Sequence, residues 1–201
     1  MIAQVEAKKT YTASEYLELE VNSETRNEYR NGEIIVMAGG TPAHNRISGN
    51  LYIILRLALK HRPYEVFHVD QRLWMPEVGF YTYPDVMVIP EPLEFQAGRK
   101  DTLLNPCLIA EVLSKSTQNH DRGDKFVAYR SIPSFQEYLI IDQSQIYVEH
   151  HVKIADHRWQ FSEYHDPAVK LTLSSVAVEI PIADLYEGIS IEGVSQGPIG
   201  E

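Results

Sequence analysis

Two carboxylates stand where apolar side chains are the rule. Asp85 lies in the run "YPDVMVIP", residues 83–90, and Glu111 in "LIAEVLSKS", residues 108–116; Val, Ile, Leu and Met surround both. A buried carboxylate is tolerated only when something pairs with it. If the two runs are neighbouring strands, the acids sit at equivalent levels and can share one divalent cation. Hard oxygen ligands suit Mg²⁺ or Mn²⁺, and Mg²⁺ takes one or two protein carboxylates and completes its shell with water and phosphate oxygens. The chemistry on offer is phosphodiester hydrolysis, in which a metal ion makes water nucleophilic at neutral pH. A neighbouring ammonium would complete such a site by neutralising developing charge. Two plainer readings stand beside this one: Asp85 as a turn residue after Pro84, and Glu111 in a structural ion pair.

The elements that must position these acids are legible in outline. Thr12-Ala-Ser-Glu15 has the form of a capping box, predicting a helix over about 13–20. "RNEYRNGEIIVMAG" reads as two short strands about the Asn31-Gly32 turn. Thr41 and Pro42 then open an amphipathic helix whose Ile47, Leu51, Ile54, Leu55 and Ala58 recur at helical spacing. Three strand-like runs follow, "YEVFHVDQRLWMP", "YTYPDVMVIP" and "CLIAEVLS", with a loop over 91–106. The last two are nearly continuous in apolar residues, as when both faces of a sheet are covered. "QNHDRGDKFVAYRSI" is a second helix and "EYLIID" another buried strand. "QIYVEHHVK", "RWQFSEYH" and "VAVEIPI" suggest a β meander closed by a short helix near 182–186. This order predicts an α/β fold with a mixed central sheet and additional N- and C-terminal strands. Residues 1–201 read as one domain, with a core over about 28–142, the meander over 143–190 and a mobile tail over 191–201.

Composition narrows the classes. No apolar run reaches the roughly 18 residues of a membrane helix, and the start carries no secretory h-region, so the expected compartment is the cytoplasm. Cys107 is the single cysteine, which excludes an intrachain disulfide and suggests an inert core thiol. The net charge of −10 weakens nonspecific polyanion binding, but it is unevenly placed. Residues 131–201 hold 3 basic and 11 acidic groups, whereas 99–130 hold 6 basic and 4 acidic, and the local field is what a phosphate feels.

Tyr83-Pro84-Asp85, then Glu111 in "LIAEVLSKST", then "DRGDKFVAYR", then "EYLIID" form an ordered set over more than half the chain. With "GEIIVMAGGTPAHNRIS" ahead of the first long helix, it resembles the Uma-type endonucleases of the PD-(D/E)XK nuclease superfamily. The resemblance implies a restriction-endonuclease-like αβββαβ core, metal-dependent DNA hydrolysis and a homodimer. Asp85 and Glu111 match its metal-binding acids, but Leu113 occupies the usual lysine slot. In the Uma-type branch the lysine role moves to the following helix, where the matching residue is Lys125; Lys115 is the rival. An i,i+4 pair with Asp121 on a solvated helix face is the alternative explanation of Lys125. His44 matches a family histidine.

Gln71 and Glu33 are accessory candidates, each with a bland alternative as a strand-edge or solvent-facing residue. Lys115 and Arg122, and more weakly Arg99 and Lys100, are candidate phosphate contacts. His150 and His151 are adjacent on a strand and so point to opposite faces, and His120 lacks the partners of a helical metal site. Tyr147, Trp159 and Tyr164 suit core or interface better than base stacking. The expected activity is a Mg²⁺- or Mn²⁺-dependent endonuclease acting on DNA. A noncatalytic nucleic-acid-binding module and a dimeric interaction protein on the same fold are the alternatives.

Overall fold

The computed structural model describes residues 9–114 and 120–190. The capping box forms as predicted: Thr12 accepts from the Glu15 backbone N–H, and Glu15 answers at the Thr12 N–H, starting helix α1, Ala13–Val21. Strands β1, Asn27–Arg30, and β2, Glu33–Val36, make the hairpin. Asn31 and Gly32 both have positive φ, 45° and 98°, which a two-residue hairpin turn of this hand requires. Helix α2, Pro42–Ala58, is capped by Thr41, whose hydroxyl accepts from His44 N–H.

The core then follows the expected αβββαβ order. Strands β3, Tyr64–His68, β6, Val86–Pro90, and β8, Leu108–Leu113, are joined by a crossover helix to β9, Glu137–Asp142. Neighbours β3–β6 and β6–β8 are antiparallel, and β8–β9 is parallel, as a helical crossover demands. Strands β10, Val148–Ala155, and β11, Arg158–Tyr164, extend this same sheet as a meander, giving the order β11-β10-β9-β8-β6-β3. The third predicted meander strand does not join them. It is β13, Val178–Pro181, paired with β12, Lys170–Leu173, in a separate hairpin followed by a helical turn, Ile182–Leu185.

Two runs expected as single strands are each divided between two sheets. After β3 the chain turns through Val69 and Asp70, both left-handed with φ of 41° and 47°, and continues as β4, Arg72–Met75. After β5, Phe80–Thr82, it crosses at Tyr83-Pro84-Asp85 to β6; Pro84 brings no N–H to a ladder. Strands β4 and β5 belong to a second sheet of order β2-β1-β5-β4-β7. Its edge β7, Thr102–Leu103, lies inside the segment expected to be loop.

The period-2 alternation of side chains sorts the central strands between two cores. Val86, Val88, Leu108, Ala110, Val112, Leu139 and Ile141 face α2 and the β12–β13 hairpin. Met87, Ile89, Ile109, Leu113, Tyr138 and Ile140 face the other way, toward Leu73, Met75 and Phe80 of the second sheet and the crossover helix. Glu111 shares parity with Ile109 and Leu113, so it points into that second interior. Cys107 is buried and unpaired with any other cysteine, its Sγ 3.4 Å from the Val88 carbonyl, and burial pushes its thiol up to about 12. No described helix is long and apolar enough to cross a membrane.

Candidate active site

Asp85 immediately precedes β6, and the register Val86↔Ala110 places it opposite Glu111 across the two antiparallel strands. Its Oδ2 accepts from the Val112 backbone N–H at 2.7 Å, which fixes the carboxylate at the sheet end. The same oxygen lies 3.2 Å from His44 Nε2. Burial alone would favour neutral His44, but Asp85 draws its pKa above the ordinary value. Helix α2 delivers His44 from its first turn, with Gly40 packed so closely that a Cβ there would sit 2.8 Å from His44 Nδ1.

Glu111 is 3% exposed and has two donors on one oxygen. Tyr129 OH donates to Oε1 at 2.5 Å, and Lys125 Nζ donates to it at 3.2 Å. Leu113, two residues on, is packed among the apolar residues of the same core, so its position holds no ammonium. The ammonium beside Glu111 is that of Lys125, on the crossover helix. A π-helical turn, Asp121–Lys125, runs into the α-helix Phe126–Tyr129 and turns Lys125 inward. π turns widen the helix by one residue and recur at functional sites.

Lys125 therefore sits in the interior, 5% exposed, rather than on a solvated face. Its i,i+4 contact with Asp121 exists as well, at 3.1 Å, but in the interior and not on the solvated helix face that the plainer reading expected. Desolvation works against the ammonium, yet Glu111 and Glu28 hold its pKa well above the free value. Removing a charge from water costs several kcal/mol; three carboxylates within 3.3 Å offset it.

Glu28 is the residue that sequence reasoning passed over. It lies on β1, in the other sheet, and its Oε1 is 3.3 Å from Lys125 Nζ while also accepting from Thr82 Oγ1 at 2.5 Å. Its Oε2 meets His120 Nε2 at 3.2 Å. Burial opposes its ionisation, but Lys125, His120 and Thr82 bring its pKa down to about 2. His120 is thus a partner of Glu28, not a member of a helical metal pair. The signal in the sequence was weak: a charged residue inside the short run "NEYR", in which Glu28 proves buried.

The cluster carries four carboxylates, Glu28, Asp85, Glu111 and Asp121, against one lysine. The acid excess is felt at Glu111, whose carboxyl is pushed up to about 8, by burial first and then by Asp85 and Asp121 against the pull of Lys125. Asp121 Oδ1 is buried without a well-formed hydrogen bond. An added cation fits this imbalance. No group of three His, Cys, Asp or Glu among the described residues forms a ready-made metal cage. The two acids at the strand ends suit Mg²⁺ or Mn²⁺, which leave most positions to water and phosphate.

The remaining candidates fall elsewhere. Gln71 donates to the backbone carbonyls of Arg72 and Asp101, at 3.3 and 3.0 Å, and does not reach the cluster. Glu33 is exposed at the start of β2, outside the cavity. Arg122 is tied to Glu149 at 2.6 Å, and Arg99 makes a bidentate pair with Asp101. Lys115 lies outside the described residues. His150 and His151 do face apart: His150 is buried on Glu137, and His151 lies against Phe126 and Phe161. Trp159 packs in the core against Phe126 and Phe135.

An αβββαβ sheet with acids facing one another across its central antiparallel strands is the restriction-endonuclease-like fold. A family model, Uma2, described as "Putative restriction endonuclease", matches residues 13–183, and the chain belongs to that family. Two curated relatives come from Synechocystis sp. (strain ATCC 27184 / PCC 6803 / Kazusa). "Uncharacterized protein sll1609" is 46% identical over 77% of this chain and 88% of its own length. "Uncharacterized protein slr1290" is 32% identical over 88% and 91%. A crystal structure from Anabaena variabilis ATCC 29413, titled as that of a "putative nuclease belonging to DUF820", shares the fold. Its TM-score is 0.71 at 21% identity, covering 88% of this chain and 97% of that one.

Proposed function

We propose that the protein is an endonuclease that hydrolyses DNA phosphodiester bonds with Mg²⁺ or Mn²⁺, Asp85 and Glu111 holding the ion and Lys125 serving as the site lysine. The observation that carries this reading is the 3.2 Å contact between Lys125 Nζ and Glu111, with Leu113 filling the place where a strand lysine would otherwise stand. Membership of a family described as "Putative restriction endonuclease" supports the reaction class. When bound, the ion would lower the pKa of water and stabilise charge on phosphorus.

The protein's own groups divide the remaining work. The Val112 N–H and His44 orient Asp85, and Tyr129 orients Glu111, so both carboxylates are fixed before substrate arrives. Lys125 places a positive charge beside Glu111, where it can hold water or a phosphate oxygen by hydrogen bonding. Hydrolysis gives one phosphate monoester end and one free hydroxyl end.

The test is cleavage of labelled DNA with and without Mg²⁺ or Mn²⁺, for wild type, Asp85→Ala, Lys125→Ala and Lys115→Ala, with metal binding followed by calorimetry. Metal-dependent cleavage lost in the first two variants and kept in the third supports the assignment. Undiminished activity in Lys125→Ala refutes the role of that lysine. Failure of wild type to bind metal, even with DNA added, returns the fold to a noncatalytic binding or interaction role.

A further inference from the structure

The cavity over the acids, about 840 Å³, is lined by Glu28 and His120 as well as by Asp85, Glu111 and Lys125. Lys125 and Tyr129 both donate to Oε1 of Glu111. A cation seated on Asp85 and Glu111 would draw on the same carboxylate and repel the ammonium beside it. Something other than Glu111 must then hold Lys125 in place. Of the three carboxylates around its ammonium, Asp121 and Glu28 remain. Asp121 lies in the same π turn as the lysine and moves with it, so it cannot fix where that turn points.

Glu28 can, because it belongs to the other sheet. Its Oε1 lies 3.3 Å from Lys125 Nζ and accepts from Thr82 Oγ1 at 2.5 Å, while its Oε2 lies 3.2 Å from His120 Nε2. The register Tyr29↔Tyr81 sets Glu28 across from Thr82, which stands three residues before Asp85 in the chain. One carboxylate thus ties the lysine to the segment that leads to Asp85. It is 4% exposed, and its pKa of about 2 keeps it charged at neutral pH. We infer that Glu28 is a positioning residue: with a cation on Asp85 and Glu111, it holds the Lys125 ammonium beside them, itself braced by Thr82 and His120. This rests on the nuclease reading of the site and adds to it a residue that acts through Lys125.

Glu28→Gln tests it, since the amide keeps the shape and an acceptor for Thr82 but carries no charge. Two readouts are taken with and without saturating Mg²⁺, saturation being verified by calorimetry. One is steady-state cleavage of labelled DNA. The other is the proton–nitrogen correlation signal of the Lys125 ammonium in ¹⁵N-labelled protein, assigned by its absence from Lys125→Met. At saturating Mg²⁺ kcat should fall at least about tenfold with KM held within about twofold, because a group misplaced by about 1 Å can cost on the order of 100-fold. The ammonium signal should survive Mg²⁺ in wild type. In Glu28→Gln it should be present without Mg²⁺ and lost with it, whereas general loosening of the core would remove it in both states. Should Glu28→Gln not fold, Glu28→Asp, which draws the charge back by one methylene, takes its place with the same expected signature. A folded variant with wild-type kcat, or one whose Lys125 signal survives saturating Mg²⁺, overturns the inference and leaves the nuclease reading standing where wild type cleaves. The expected signals in a protein that binds Mg²⁺ but cuts no DNA keep the inference for the ion site and refute the nuclease reading. A wild type that binds no Mg²⁺ refutes both.

Discussion

Lys125→Met keeps the side chain's length and removes its charge, leaving Glu28, Glu111 and Asp121 to share an interior without the ammonium that lies 3.1–3.3 Å from each. Removing one partner of a buried ion pair costs about 3–5 kcal/mol, and the variant's loss should reach that range where Glu111 is ionised. Against a typical domain stability of about 5–15 kcal/mol, the variant should fold but unfold at visibly lower denaturant. The deficit should depend on pH, and its sign follows from Glu111. Its folded pKa is raised from 4.5 to about 8, so the stability its protonated form contributes is full below 4.5 and lost as pH rises through 8. Lys125 opposes that rise, so without it the folded pKa climbs further. The variant's deficit should therefore be smaller in mildly acidic buffer and grow toward mildly alkaline buffer. Urea unfolding followed by the fluorescence of Trp74 and Trp159 measures this directly. A loss under about 1 kcal/mol with no pH trend is the behaviour of a solvated surface pair, and would refute the buried clamp.

Two further outcomes follow from the same geometry. Glu137 is fully buried and accepts from His150, the Ser174 and Ser175 N–H groups and the Ser175 hydroxyl, so Glu137→Gln should cost about 2–4 kcal/mol by leaving donors unmet. Burial opposes its ionisation but these donors lower its pKa, so its contribution should fade as pH falls below the ordinary glutamate value, as denaturation in an acid series would show. Gly40→Ala would set a methyl 2.8 Å from His44 Nδ1; the ring must swing, and the His44 pKa, measured by NMR titration, should fall back toward the free value. An unchanged titration would show that the loop yields instead.

Much of the site was legible because it obeys local rules. Asp85 and Glu111 declared themselves as charges in apolar runs, and strand alternation placed Glu111 and Leu113 on one face, leaving no lysine there. Lys125 was reached through the family pattern, not through spacing, because a helical i,i+4 partner explained it equally well. Only packing distinguishes the two: the π turn directs the side chain inward. Glu28 was illegible for a different reason. It approaches Lys125 from a second sheet, and nothing in "NEYR" reveals which sheet a four-residue strand will join. The division of residues 64–75 and 80–90 between two sheets was hidden in the same way, since apolar content continues through each bend. Left-handed Val69, a β-branched residue, is imposed by tertiary structure against its own preference.

The central claim is that the acids at the ends of β6 and β8 form one metal seat. Crystals soaked in Mn²⁺ and measured for anomalous scattering test it most directly. The account predicts a single strong peak between the Asp85 and Glu111 carboxylates, absent from Asp85→Ala crystals treated identically. No peak there at saturating Mn²⁺, with Asp85 still held by Val112 and His44 and Glu111 by Lys125 and Tyr129, would contradict it.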